Sequence, residues 1–388
     1  MIMKMNRYIN MNKALASVVL ALCMPALVLV GCVDSGTDAP DLSQPLKPIF
    51  MYNDSISVMP VDIQTRAVVD DPSTVVGMYL TPSRASSLYR FTYGTPVWTG
   101  NANVDPGIKY EIFGYLPVNN GITASISGYR ADDTEFTSAE THPVLTLSNM
   151  DPILTDGLAV ITGVKSIEAT DDADAATKAA QPNAGCFYYE GKSSNNYVCL
   201  LMERIVVCYD IRLALSTNTV SSVDSRYDPM NYAGLRSVRI KKMEMTTSAR
   251  KKMTATVTFN DKPDGVSPAI QSVNWSTVDG TSEPIEIFNS ETAGAEKVLT
   301  KDWQEIAFYS MPASLATVIL KTTYDVYDLD GNKVRQNCVV ENDLTSLLSS
   351  ISSPQIGTRY TLDMVVKPSY LYQLSNYDID NPTIVATN

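Results

Sequence analysis

Short runs in which apolar and polar residues alternate constrain the fold of this chain more than any other feature. Residues 89–93 alternate aromatic with polar side chains, and residues 110–117 follow after a loop rich in Gly, Asn and Pro. A period of two is typical of half-buried strands, and short strands at this spacing indicate a sandwich or barrel. Tyr, Thr, Val and Ser abound, while long apolar stripes at helical spacing are missing. The sequence therefore predicts an all-β fold.

The first 31 residues predict an export signal. Cations precede an apolar run at residues 14–30, which is too short to span a membrane comfortably and ends in small residues. Residues 29–32, Leu-Val-Gly-Cys, resemble the bacterial lipoprotein signal, in which a peptidase cleaves before a lipidated cysteine. The resemblance assigns Cys32 as the lipid attachment site, and two or more acyl chains hold a protein stably on a bilayer. A soluble secreted protein and a start at Met11 stay open as alternatives.

Charge and histidine content exclude several classes of function. Removing residues 1–31 takes away three cations and no acids, so the net charge moves from −12 to −15. An acidic chain lacks the basic footprint that nucleic acids and anionic membrane surfaces need. The one histidine, His142, precedes Pro143 in a loop-like context, which argues against a Ser-His-Asp triad. A single histidine also excludes a two-histidine metal site and an HExxH helix. We expect no cofactor and no enzymatic activity; a pair of carboxylates is the remaining enzyme alternative, and no pair stands out.

Four cysteines follow Cys32. Their spacings fit no CxxC metal pattern, and export permits disulfides without requiring them. Two of them lie in an apolar run, where a free cysteine usually behaves as a small buried hydrophobe. We predict structural thiols, with the disulfide state left open, at Cys186, Cys199, Cys208 and Cys338.

The pattern along the chain predicts a tether and two β-domains. Residues 32–48 are predicted as a flexible tether, 49–185 as an N-terminal β-sandwich and 186–388 as a C-terminal β-sandwich with an extended tail at 370–388. The first strand is expected to be of edge type because Pro60 interrupts it. Its apolar residues are Ile56, Val58, Val61 and Ile63. An exposed arginine, Arg66, follows and would be open to a trypsin-like protease.

The second half carries further strand signals. Residues 197–215 are predicted as one long central strand, and residues 238–245 and 253–259 as a hairpin with a bulge near 241–242. Cations crowd that hairpin, which indicates either a docking patch or, preferably, a solvated face guarding an edge strand. Asp-Gly-Asn at 330–332 predicts another hairpin. A short helix at 344–351 with Asn342 as its N-cap is expected to follow. A strand at 358–366 comes next, with Tyr360, Leu362 and Met364 alternating onto one face.

Several of these features in this order resemble the fimbrillin-like lipoproteins, the type V pilins of the Bacteroidota. The features are the lipoprotein signal, the tether, a first strand followed by Thr-Arg-Ala at 65–67, the block 110–117, the apolar run that opens the second half and the closing strand that begins Gly-Thr-Arg-Tyr at 357. The likeness spans residues 29–366. It implies two tandem transthyretin-like β-sandwich domains with Greek-key connections, in a subunit of a pilus at the outer membrane and cell surface.

The resemblance also implies a mode of assembly. An arginine-specific protease cuts shaft subunits after an arginine near the first strand, which maps to the bond between Arg66 and Ala67. The cut would release the lipid and the first strand, and a sandwich that lacks a strand exposes backbone groups and an apolar trough that another chain can fill. In the family the donor is the extended C-terminal segment of the next subunit. The corresponding donor residues here are Tyr377, Ile379, Thr383 and Val385. Completion of the tail's own domain is the alternative, since Pro382 cannot donate a ladder hydrogen bond.

The leading hypothesis is therefore a structural or adhesive pilus subunit whose partners are other pilin subunits, the membrane, an arginine-specific protease and a host protein or glycan. An anchor subunit that keeps its lipid is one alternative. A surface glycan-binding lipoprotein is another, and it would need an exposed aromatic platform. The aromatic residues available for such a platform are Tyr89, Phe91, Tyr93 and Trp98, or Trp275 and Trp303. The choice among shaft, tip and anchor stays open.

Overall fold

Strands dominate the computed structural model. It describes residues 43–52, 75–81, 84–118, 121–129, 142–180, 188–215, 237–247, 251–260, 270–279, 283–300, 302–312, 317–327, 330–366 and 379–387. The strands of the first half are β1 Gln44–Tyr52, β2 Val75–Thr81, β3 Arg84–Tyr93, β4 Trp98–Gly100, β5 Asn103–Val104, β6 Lys109–Leu116, β7 Thr123–Ser127, β8 Val144–Met150, β9 Ala159–Ile167, β10 Tyr188–Glu190 and β11 Asn196–Arg204. The all-β prediction is confirmed.

Eleven more strands follow in the second half of the described chain, and the described residues also form three helices. The strands are β12 Val207–Leu215, β13 Ser237–Thr247, β14 Lys251–Phe259, β15 Ile270–Asp279, β16 Ile285–Asn289, β17 Lys297–Leu299, β18 Gln304–Ser310, β19 Val318–Tyr327, β20 Lys333–Asp343, β21 Arg359–Val366 and β22 Ile379–Thr387. The helices are α1 Asp172–Ala179, α2 Ser290–Ala293 and α3 Thr345–Ser349.

The strands form four sheets. Sheet I has nine strands in the order β4-β3-β2-β6-β9-β11-β1-β5, with β10 beside β6. Sheet II has the order β15-β14-β8-β7, and sheet III has the order β18-β12-β21-β22. Sheet IV has the order β16-β13-β19-β20, with β17 beside β13. Residues Gln44–Asn388 cluster as one compact unit.

Sheets III and IV pack face to face as a β-sandwich. Alternate residues of β12 and β21 meet those of β13 and β19 in one buried cluster. Tyr209 lies stacked between Phe308 and Tyr360, with ring centroids 5.0 and 5.8 Å away. Tyr360, Leu362 and Met364 share the buried face of β21, as the predicted alternation at 358–366 requires.

Sheet I is buried on both faces. One face packs on sheet II, where Phe113 of β6 contacts Phe259 of β14 with ring centroids 5.4 Å apart. The other face encloses a second cluster around Phe50 and Trp98. Because apolar side chains point to both sides, the central strands of sheet I carry apolar runs rather than clean alternation.

Two predictions about strands differ from the structure, and a third is confirmed. The run 197–215 is two strands, because the chain leaves sheet I after Arg204 and enters sheet III at Val207. The predicted hairpin at 238–259 is wrong: β13 pairs with β16, β17 and β19 in sheet IV, whereas β14 pairs with β8 and β15 in sheet II. The bulge near 241–242 is confirmed, since the register of β13 against β19 shifts between Ile240 and Lys242.

Strand pairing also bears on the expected domain bounds. Gln44–Tyr52 is a strand, although residues up to 48 were expected in the tether. Strands β10 and β11 belong to sheet I, although both follow the expected boundary at 185/186. Sheet II joins two strands from each side of that boundary. The expected bounds differ because pairing is long-range: residues 46–52 form a strand by pairing with β11, about 150 residues later in the chain. The two-domain division itself stays a prediction.

The local elements of the C-terminal part follow the sequence. The β19 and β20 strands pair across the Asp-Gly-Asn turn, where Gly331 has φ of 80°, a left-handed conformation that glycine adopts without strain. The helix predicted at 344–351 is α3, but its N-cap is Leu344 rather than Asn342. A carboxylate oxygen of Asp343 accepts the hydrogen bond of the Thr345 N–H at 2.8 Å.

Candidate functional site

The place of β1 in sheet I is the candidate functional site. Leu46 to Tyr52 pair in parallel with Asn196 to Met202 of β11. On its other side β1 pairs with β5 at two residues, Gln44 and Pro45. Leu46 donates its N–H to the carbonyl of Ala102 at 2.9 Å. We call the edge of β11 and the side chains that contact β1 the β1 slot.

Both faces of β1 are buried in the slot. Phe50 is fully buried and makes edge-to-face contacts with Trp98 and Phe91, with ring centroids 5.1 and 6.3 Å away. Ile49 and Met51 point to the opposite face and belong to a cluster with β11 and α1. Three consecutive core side chains therefore hold β1. An amphipathic edge strand, by contrast, buries only every second side chain.

Helix α1 covers the Ile49 face of the slot. Its N-cap Asp171 accepts the Asp174 N–H at 2.8 Å, and its alanines favour the helix. Ala175 and Ala179 are its buried residues and join the cluster of Ile49. The small side chains let the helix lie close to β1 and β11.

A polar network ties β1 to β11 and α1. Lys47 Nζ lies 3.2 Å from an Asp172 carboxylate oxygen and donates to the Tyr197 hydroxyl at 3.1 Å. The Tyr197 hydroxyl donates to the same Asp172 oxygen at 2.6 Å. That hydrogen bond, followed by the one from Lys47, lowers the pKa of Asp172, and the bond to Tyr197 raises the pKa of Lys47. Both partners are more than a third exposed, so solvent screens the ion pair.

The C-terminal end of β1 lies against a buried arginine. Arg204, the last residue of β11, is 1% exposed, and its guanidinium carbon lies 3.9 Å from the centroid of the Tyr52 ring. Burial raises the pKa of Cys208 to about 12 at the start of β12. Asp210 in the same strand pairs with Arg359 at 3.1 Å. The β1 slot therefore ends at the junction between sheets I and III.

The predicted processing residues lie outside the described residues. These are Cys32, Arg66 and Ala67, and the predicted first-strand residues Ile56, Val58, Val61 and Ile63. The donor candidate Tyr377 lies outside them as well. The strand that the structure does describe before Arg66 is β1, at 44–52 rather than at 56–63.

The other donor candidates lie in β22, which pairs antiparallel with β21 of the same chain. Thr361 faces Val385, and Val366 faces Ile379. The register shifts between Asp363 and Val365, so β22 has one extra residue where Pro382 lies. A bulge is where a strand tolerates a residue without an N–H donor. The tail thus completes sheet III here, and its donor role stays a prediction.

Two of the six aromatic residues of the predicted glycan platforms are core residues. Phe91 and Trp98 are 0% and 1% exposed. Trp275 is half-buried among the residues between sheets I and II. Trp303 is 39% exposed, and the guanidinium carbon of Arg212 lies 5.1 Å from its ring. The geometry therefore does not favour stacking of a sugar on the residues around Trp98.

The thiols behave as buried side chains where the structure describes them. Cys199 and Cys208 are buried, and Cys338 is half-buried. Cys186 lies outside the described residues. Within those same ranges no group of three or more His, Cys, Asp or Glu side chains is arranged to hold a metal ion, and no helix has the length and apolar character to cross a membrane.

Three of the cations that were expected on a β13–β14 hairpin have acidic partners. Arg239 pairs with Glu296 at 3.6 Å, and Lys252 pairs with Asp151. Lys242 lies 2.8 and 3.1 Å from the carboxylates of Glu244 and Glu286. Ion pairing of these side chains favours a solvated face over a docking patch. Arg236 and Arg250 lie outside the described residues.

The comparisons with known proteins identify structural similarity only. No family model and no curated protein matches the chain. A candidate cell adhesion protein from Bacteroides uniformis has 11% identity and a TM-score of 0.37, with 89% of this chain and 99% of that chain covered. Another, from Bacteroides fragilis, has 11% identity and a TM-score of 0.33, with 89% and 97% covered. The fimbrial anchor protein Mfa2 from Porphyromonas gingivalis has 9% identity and a TM-score of 0.27, with 88% and 97% covered. With TM-scores below 0.5, these similarities transfer no function to this chain.

Sequence reasoning did not find Lys47, Tyr52, Asp172 or Arg204. Pro45 and Pro48 lie on either side of Lys47, and prolines are typical of a linker. The sequence therefore did not predict the start of β1. The contiguous apolar residues 49–52 were the available signal, because a strand buried on both faces shows such a run.

Proposed function

We propose that the chain is a structural or adhesive pilus subunit, exported as a lipoprotein through Cys32 to the outer membrane and cell surface. An arginine-specific protease cuts between Arg66 and Ala67 and frees β1. A strand from a neighbouring pilin subunit then enters the β1 slot, and repetition of this step builds the polymer. The observation that supports the proposal is that residues 53–74, which contain Arg66, connect β1 to the rest of sheet I.

The contacts of β1 explain why a cut has a large effect. Before the cut, the connection keeps β1 at a high effective concentration beside β11. After the cut, β1 remains bound only through its ladder with β11 and through Ile49, Phe50 and Met51. Its departure leaves a row of unpaired backbone groups and an apolar trough, and both are satisfied by β-strand addition.

The donor belongs to another subunit. Tyr377, Ile379, Thr383 and Val385 remain the candidate donor residues. Since β22 pairs with β21 in the isolated chain, donation requires release of this strand from sheet III of its own subunit. The exchange breaks two ladders, β1 with β11 and β22 with β21, and forms one new ladder in the β1 slot, so the cut that releases β1 must precede it.

Limited proteolysis tests the proposal. We expect an arginine-specific protease to produce one major fragment beginning at Ala67, followed by oligomer ladders on semi-denaturing gels. The matched control is Arg66→Ala, which we expect to stay intact and monomeric. Cleavage at Ala67 without oligomers would contradict polymerisation by strand exchange, and degradation throughout the chain would contradict selective processing.

A lipid-retaining anchor is the second candidate. The network of Lys47, Asp172 and Tyr197 and the buried side chains of β1 favour a β1 that stays in place. An anchor would resist the protease and stay in the membrane fraction through Cys32. Cell fractionation of wild type and Cys32→Ala distinguishes the two, because only an anchor stays in the membrane fraction after protease treatment.

The proposal assigns no enzymatic activity to the chain. Adhesion to a host protein or glycan is a further partner class, and the burial of Phe91 and Trp98 counts against a platform built on them. A glycan array is the direct test: saccharide binding that Trp303→Ala abolishes would favour the glycan-binding alternative over the pilus subunit.

A further inference from the structure

The Arg204 end of the β1 slot has features of a recognition site. Tyr52 is the last residue of β1 and lies beside Met202 in the ladder. The ring of Tyr52 covers the guanidinium of Arg204 at 3.9 Å, and this arginine is 1% exposed. Burying a cation is unfavourable unless neighbouring groups compensate for the lost water. An aromatic face provides part of that compensation.

The surroundings of Arg204 restrict what else can occupy that place. Gly157 lies so close that a β-carbon there would be 2.9 Å from Arg204 Nε and 3.2 Å from the Tyr309 ring. A residue with a β-carbon at position 157 would therefore displace the guanidinium from its place under Tyr52.

The rest of the slot specifies the residues that precede the aromatic. Phe50 enters the cluster of Trp98, while Ile49 and Met51 enter the cluster under α1. A strand with alternating apolar and polar residues would bury a polar side chain in one of these two clusters. A strand with three consecutive apolar residues satisfies both. In the candidate donor tail, residues 384–386, Ile-Val-Ala, form such a run, but Thr387 follows it, so this tail fits the two clusters and lacks the aromatic residue of β1.

We propose that Arg204 is a specificity-determining residue of the β1 slot, which accepts a strand with three consecutive apolar residues followed by an aromatic residue placed over the guanidinium. The proposal rests on the proposed function, since the incoming strand replaces β1. It adds the chemistry by which the slot distinguishes one strand from another: aromatic over aliphatic at the position of Tyr52.

A double-mutant cycle in the uncut chain tests the contact without any cleavage. The variants are Tyr52→Leu, Arg204→Met and the double variant, with Tyr52→Phe as the aromatic control. Arg204→Gln, which also removes the cation, is the second variant should Arg204→Met fail to fold. We expect Tyr52→Leu to lower the urea midpoint clearly in the wild-type background and to change it little when Arg204 is replaced. Equal decreases in both backgrounds would overturn the proposal.

Peptide binding to the cut chain tests the selectivity. The receptor is the full chain cut at Arg66 and freed of its β1 fragment, and the probes are labelled peptides of residues 44–52. We expect the Tyr52→Phe peptide to bind within about twofold of the wild-type peptide and the Tyr52→Leu peptide about tenfold more weakly, by fluorescence anisotropy. The discrimination should vanish with an Arg204→Met receptor and persist with Val278→Ala, a change on the exposed face of β15.

The outcomes separate the two levels of the argument. Tight binding of both the tyrosine and the leucine peptide would overturn the role of Arg204 and leave strand exchange standing. Binding of no peptide would overturn strand exchange at this slot and the selectivity with it.

Discussion

Replacing Phe50 by alanine is the sharpest perturbation of the β1 slot. The side chain is fully buried and contacts Trp98 and Phe91 edge to face. A buried Phe→Ala change costs about 3–5 kcal/mol, and aromatic pairs contribute about 0.5–1.5 kcal/mol beyond area burial. We therefore expect Phe50→Ala to lower the free energy of unfolding by about 4 kcal/mol. Phe50→Leu keeps most of the volume and should lower it by about 1–1.5 kcal/mol.

The assay is equilibrium urea unfolding of the exported chain carrying Cys32→Ser, followed by tryptophan fluorescence and circular dichroism. Trp98 lies 5.1 Å from Phe50 and reports on the slot directly. Val278→Ala is the control, because this side chain is 52% exposed and should change stability by less than about 0.5 kcal/mol. A loss below about 1 kcal/mol for Phe50→Ala would refute the view that β1 is an integral core strand.

Three further predictions concern other contacts. The pKa of Asp172 is lowered in the folded chain, so the stabilisation from its bonds to Tyr197 and Lys47 is present above the ordinary value of 3.8 and is lost as pH falls below it; Asp172→Asn should flatten the acid limb of a circular-dichroism titration. Because burial raises the pKa of Cys208 to about 12, its thiol should react with a maleimide only after unfolding, as mass spectrometry of the labelled peptide would show. Arg212→Lys should lower stability by about 1 kcal/mol in urea unfolding, because the guanidinium holds both Asp363 oxygens, at 2.6 and 2.7 Å.

Local pattern was sufficient for the strands that lie in one sheet and have a clear buried face. The alternation at 358–366 predicted β21 and its buried face, and the Asp-Gly-Asn turn predicted the pairing of β19 with β20. In both cases the physical cause is local. The side-chain period and the turn conformation are properties of a few adjacent residues.

Pairing partners could not be predicted from the same signals. The turn between β13 and β14 is compatible with a hairpin, yet the chain crosses there from sheet IV to sheet II. The run 197–215 stays apolar across Arg204, because both strands are buried on two faces. For β1 the missing information is β11 itself: Leu46 faces Asn196, and nothing within the first 60 residues identifies that partner.

The long sequence separation between paired strands also bears on function. In each half of the described fold, a parallel pair joins an early strand to a late one: β1 to β11, and β12 to β21. Both contacts close long loops, which carries a cost in chain entropy. The two pairs differ in how the early strand is connected along the chain. β12 is connected at both ends, to β11 before it and to β13 after it. One cut between β1 and β2 separates β1 from every later strand, whereas β12 would need two cuts. If a parallel strand is to be exchanged after one proteolytic event, β1 is the strand that this topology allows to leave.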